Sequence, residues 1–102
     1  MTIDSPVKIS DTKEYEAFIH ECVFLLAARG RLARAQAVQR ECFDLNTVVV
    51  KSMRRIVPLA KALWPMLDGD DGPRLVRRGK RAVYISQDGQ VWVDSVHVAW
   101  EE

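Results

Sequence analysis

The feature that most constrains the fold is a change of hydrophobic period at "DGDDGP", residues 68–73. Two glycines, a proline and three aspartates in six residues define a loop. Before it, apolar residues recur at helical spacing. After it they alternate, in "RLV", "RAVYIS" and "QVWVDSVHVAW", segments rich in Val, Ile, Tyr and Trp. Helices first and strands last is an α+β order, distinct from the alternating order of a parallel sheet.

On the helical side, "DTKEYEAFIHECVFLLAARG" carries a wide apolar stripe through Tyr15, Phe18, Ile19, Cys22, Val23, Leu25 and Leu26. Asp11 is the expected N-cap, with Glu14 reaching back as in a capping box, and Gly30 the expected terminator. A shorter helix, "RLARAQAVQRECF", follows with a narrow apolar face of Leu32, Ala35, Val38 and Cys42. Arg31, Arg34 and Arg40 fall outside that face and are available to solvent or ligand. A break is expected at "FDLN", where Asp44 or Asn46 can cap "TVVVKSMRRIV". There Val49, Met53, Ile56 and Val57 continue the stripe. Pro58 either kinks this helix or opens a new one, "PLAKALWPML". Three to four helices result.

On the strand side, Asp88-Gly89 flanked by alternating residues predicts a type I′ hairpin turn, and Gly79 marks another turn. The sheet is expected to be antiparallel, with two or three strands. So small a sheet must pack on the helices. Val83 and Ile85 share one face of their strand, Val91 and Val93 one face of theirs. Tyr84 and Trp92 lie opposite and can close a second apolar patch. Residues 1–10 show no periodicity and read as an extended or disordered arm, leaving 11–102 as a single domain.

Composition excludes some functions. No apolar run approaches the roughly 18 residues of a membrane span, and no charged-then-apolar leader opens the chain, so a cytoplasmic, membrane-free protein is expected. Cys22 and Cys42 lack companions at metal spacing and are expected to be reduced, buried thiols. His20, beside an apolar helix face, and His97, alternating with valines on a strand, have no forced nucleophile or carboxylate partner. Asp68, Asp70 and Asp71 lack the downstream Glu of a calcium loop. No phosphate loop is present. No enzyme, cofactor or metal is therefore expected.

Charge is the informative quantity, and it is segregated. The overall +1 conceals net −3 over 1–28, +6 over 29–61, −3 over 62–73, +5 over 74–81 and −4 over 82–102. Local potential, rather than net charge, attracts a polyanion. The second block ends in "RRGKR", four cations around one glycine. Its simplest role is a soluble turn between two apolar strands.

A helix, a short basic helix, a tight break, a second basic helix and a hairpin with a basic tip resemble the winged helix-turn-helix domain of DNA-binding regulators, over residues 12–93. In that family the third helix enters the major groove and the wing touches adjacent backbone. The resemblance implies "ARAQAVQREC" as supporting helix, "NTVVVKSMRRI" as recognition helix and the 77–81 turn as wing. Its nucleic-acid-binding residues would be Arg34, Thr47, Lys51, Arg54, Arg55, Arg77, Arg78, Lys80 and Arg81. Val49, Met53 and Ile56 would lock the recognition helix to the core.

The expected function is that of a non-enzymatic transcriptional regulator binding double-stranded DNA as a homodimer. Its self-contact would be made by the first helix or by Leu59, Leu63, Trp64 and Leu67. Single-stranded DNA or RNA would suit a basic cleft near Trp and Tyr as well. The alternative is a protein-interaction module, an adaptor, chaperone or inhibitor. It would use the sheet and Trp92 or Trp100 against an acidic partner.

Overall fold

A computed structural model describes residues 9–101. It is α+β: two long helices, then a four-stranded antiparallel meander in the order β1-β2-β3-β4. α1 spans Lys13–Ala37 and α2 Phe43–Leu63; the strands are β1 Arg74–Arg78, β2 Ala82–Ile85, β3 Val91–Val93 and β4 Val96–Ala99. The expected arm falls outside the described residues up to position 8, and Ile9–Asp11 form a 3-10 turn.

The helix count differs from expectation because two predicted breaks do not occur. Gly30 does not end α1, which runs on through "RLARAQA". A mid-helix glycine costs about 1 kcal/mol relative to alanine, and the Ala, Leu and Arg residues around it favour helix strongly enough to carry the chain through. The stop comes at Ala37. There Gln39 takes φ 57, its N–H donates to the Gln36 carbonyl, and the Arg40 N–H donates to the Ala35 carbonyl. This is a Schellman motif with glutamine in the place usually held by glycine. The N-cap is likewise one residue later than expected. The Thr12 hydroxyl donates to the Ile9 carbonyl at 2.6 Å and accepts from the Tyr15 N–H at 3.2 Å, a double role that the Asp11 carboxylate cannot play.

"FDLN" is not the break but the first turn of α2, and neither Asp44 nor Asn46 caps it. Pro58 lies inside this continuous helix, so "PLAKALWPML" is no separate element; only Trp64–Met66 tighten to a 3-10 turn. Pro58 is exposed, while Ile56, Val57, Ala60 and Leu63 around it are buried and hold the backbone helical. Leu63, Trp64 and Leu67, expected as surplus apolar surface, belong to the core.

The sheet gains its fourth strand from a turn that carries no glycine. Asp94 and Ser95 have φ of 51° and 68°, both left-handed as a type I′ turn requires, and they split "VWVDSVHVAW" into β3 and β4. The Asp94 carboxylate supports the strain by accepting the Ala82 N–H at 3.0 Å. At the predicted I′ site only Gly89 has positive φ, and the Ser86–Gln90 connection is longer than two residues.

Val76, Val83, Ile85, Val91, Val93 and Val98 bury the inner sheet face against Phe18, Leu25, Ile56, Ala60 and Leu63 of the helices. Hydrophobic burial of this kind contributes roughly 25 cal/mol per Å². On the outer face the register runs Leu75↔Tyr84, Tyr84↔Trp92, Trp92↔His97. The alternation expected for Val83 and Ile85 and for Val91 and Val93 is met in β2 and β3, whereas the burial patterns of β1 and β4 do not alternate, register shifts interrupt the pairing beside them, and Val96 is exposed next to His97. No helix among the described residues is long and apolar enough to cross a membrane.

Candidate functional site

The β1–β2 turn is built by the strands it joins. Its four cations, Arg77, Arg78, Lys80 and Arg81, are all exposed. A bulge between Leu75 and Arg77 sets Val76 and Arg77 together opposite Val83, which turns Arg77 toward the helix side of the sheet. Arg78, opposite Ala82, stays on the outer face. Arg77, Lys80 and Arg81 border a groove of about 350 Å³ between this hairpin and α1. Of the four, Arg81 alone meets a carboxylate among the described residues, Asp94 at 3.5 Å, with both side chains about half exposed. Such a pair contributes little and is readily exchanged for another anion.

Arg74, in the same basic block, behaves differently. Its guanidinium donates to the carbonyls of Asp70, Trp64 and Leu67 at 2.8, 3.1 and 3.0 Å. This arginine closes the 68–73 loop and is structurally committed. Arg55 is also engaged within the fold: it reaches both Glu21 carboxylate oxygens, at 2.8 and 3.2 Å, and stands 5.4 Å from the Phe24 ring centroid. Burial pushes the Glu21 carboxyl up, but hydrogen bonds from Arg55 and Ser52 and the charges of Arg55 and His20 outweigh it. The net effect is a value below the ordinary one.

Thr47, Lys51 and Arg54 come together along one stripe of α2, with Phe43 and Val50, as their i, i+4, i+7 spacing dictates. The Thr47 hydroxyl donates to the Phe43 carbonyl one turn back. Arg54 also lines a second groove of about 360 Å³ with Pro58, Lys61, Trp100 and Glu101. Arg34 lies apart, at the helix-turn end with Arg31 and Arg40. The hairpin turn adjoins α1 beside edge strand β1, whereas the α2 stripe adjoins the residues that follow edge strand β4. The nine candidate residues thus form three surface groups, with Thr47 half-buried, and one half-exposed arginine, Arg55, paired with Glu21.

Sequence reasoning missed the α1 side of the hairpin groove: Ile19, Cys22, Val23 and Leu26. Their helical spacing marks them as core, and nothing local distinguishes Val23, 61% exposed, from its buried neighbours. Cys22 is buried as expected; Cys42 is only half-buried, its thiol directed at the Arg40 carbonyl. His20 is exposed on α1. His97 stacks between Trp92, with centroids 5.1 Å apart, and Trp100, at 4.9 Å.

Comparison with family models, with curated proteins and with solved structures finds no match to this chain.

Proposed function

We propose that this chain is a non-enzymatic DNA-binding protein, a regulator that grips duplex phosphates with the β1–β2 turn and uses the Thr47–Lys51–Arg54 stripe as a second contact. The resemblance to winged helix-turn-helix regulators motivates the assignment of roles. The observation that carries it is the contrast within the basic blocks. Arg74 is held by three backbone carbonyls and the half-exposed Arg55 by both oxygens of Glu21, while the four cations of the turn are exposed and, among the described residues, share one weak carboxylate contact. Exposed Lys and Arg on phosphates supply sequence-independent affinity through counterion release. A homodimer would be joined by Val38 and Phe43, exposed to 64% and 72% at the helix-turn end.

The test is anisotropy binding to mixed-sequence duplex DNA across a salt series. Micromolar or tighter association at low salt, falling steeply as salt rises, is expected. Neutralising Arg77, Arg78, Lys80 and Arg81 together should reduce the log–log salt slope by about 4 and weaken all sequences alike. Absence of low-salt binding would sink the reading.

A second reading rests on the outer sheet face, where half-exposed Tyr84 and Trp92 and exposed His97 and Trp100 form one aromatic row. Aromatic anchors of this kind suit capture of a protein partner, with the cations meeting its acidic residues. Substitution of Trp92 or Trp100 by alanine would then abolish partner capture without touching duplex binding.

A further inference from the structure

The groove between α1 and the β1–β2 hairpin combines two chemistries. Its floor is aliphatic: Ile19, Val23 and Leu26 from α1 and Val83 from β2. Positions 19, 23 and 26 form one helical stripe about 10 Å long at 1.5 Å rise per residue. At one rim stand Arg77, Lys80 and Arg81. The groove, about 350 Å³, falls at the small end of ordinary ligand pockets. Cys22 also faces it; burial pushes that thiol up to about 11, against the pull of Arg77 and Arg81, so the floor carries no anion of its own at neutral pH.

From this arrangement we infer that the groove is a binding site for an amphiphilic anion, a single medium-length aliphatic chain ending in a carboxylate. The chain lies along Ile19, Val23 and Leu26, and the headgroup meets Arg77, Lys80 and Arg81. The floor, where Val23 is exposed and Ile19 and Leu26 are half-buried, and the under-partnered cations each gain from such a ligand: the first by losing its remaining water contact, the second by charge-assisted hydrogen bonds. Arginine and lysine stems can also simply cover apolar surface while their heads remain in water. The charge of the headgroup separates these cases, because stem packing does not favour an anion over a cation. Occupancy engages the same cations that grip phosphate, so the ligand competes with DNA; this coupling rests on the function proposed above, whereas the site itself does not.

The experiment is a titration of the full chain with decanoate, below micelle formation, followed by backbone amide NMR. Saturable shifts confined to the amides of residues 19–26 and 77–83 are expected. Arg77→Gln/Lys80→Gln/Arg81→Gln should weaken binding by about tenfold or more. Val23→Glu, at an exposed position that leaves the fold intact, should do the same by placing a carboxylate in the groove. Unmoved groove amides, or equal affinity for decyltrimethylammonium, would overturn the site. Saturating decanoate should also lower duplex affinity. A chain that binds decanoate but no duplex upholds the site and refutes the DNA reading; unchanged duplex affinity under saturation refutes the coupling.

Discussion

The guanidinium carbon of Arg74 lies 3.5 Å from the centroid of the Trp64 ring, and the Trp64 indole N–H donates to the Gly72 carbonyl at 3.1 Å. Together the two side chains bind the end of the helical half to the start of the sheet. A desolvated cation–π contact can contribute about 2 kcal/mol, and hydrogen bonds from a charged donor about 1.5–3 kcal/mol. Lysine has neither the planar face nor the fork. Arg74→Lys should lower the melting temperature by about 10 °C, and leave the salt dependence of duplex binding unchanged.

Glu21 links the helices at a different level, accepting from the Ser52 hydroxyl at 2.7 Å as well as from Arg55. Its folded value is depressed, so it contributes stability that is present above the unfolded carboxylate range and is lost as pH falls through the folded value. Denaturant midpoints should therefore decline on acidification below about pH 4.5, the ordinary value. Glu21→Gln should flatten that decline. An unchanged pH profile in the variant would show that other carboxylates dominate.

The Gly89 turn packs directly on α2. A Cβ there would lie 2.7 Å from Val57 Cγ1 and 2.8 Å from the Val57 carbonyl oxygen, at a φ of +87°. Strain and overlap with backbone make Gly89→Ala destabilising by roughly 2–4 kcal/mol in chemical unfolding. Gly72→Ala, with open space around it, should stay within about 0.5 kcal/mol of the parent.

Gln39 and Ser95 occupy left-handed backbone without being glycine, at a cost of roughly 1–2 kcal/mol each. Gln39→Gly and Ser95→Gly should each raise stability by up to about 1 kcal/mol, the gain reduced by the greater freedom of glycine in the unfolded chain. Asp94→Gly should not, because it removes the acceptor for the Ala82 N–H.

Lys51 and Arg55 are four residues apart, with different expected roles. Lys51→Gln should reduce the log–log salt slope of duplex binding by about 1. Arg55→Gln should instead lower the melting temperature through the Glu21 pair, leaving the slope in place. Reversal of these two outcomes would place the DNA contact on the α1-facing side of α2.

Features that depend only on neighbours along the chain can be read from residue order. The 68–73 loop, the α+β order, the inward valines of the strands and the outward Tyr84 and Trp92 follow from residue type and period, which a one-residue slip would invert. Helix ends and turns were only partly legible. Gln39 and Asp94-Ser95 adopt backbone that the sequence would assign to glycine, because hydrogen bonds to Gln36, Ala82 and their surroundings stabilise it. The roles of the cations were decided by tertiary structure alone. Arg74 and Arg78 stand four residues apart in one basic run. One is drawn into a cage of carbonyls beside Trp64 and the other faces solvent, because the bulge between Leu75 and Arg77 shifts the alternation by one residue and sends the two ends of the strand to opposite faces. The same holds for Val23, a core residue by spacing, which lies beside a cationic rim contributed by residues more than fifty positions away.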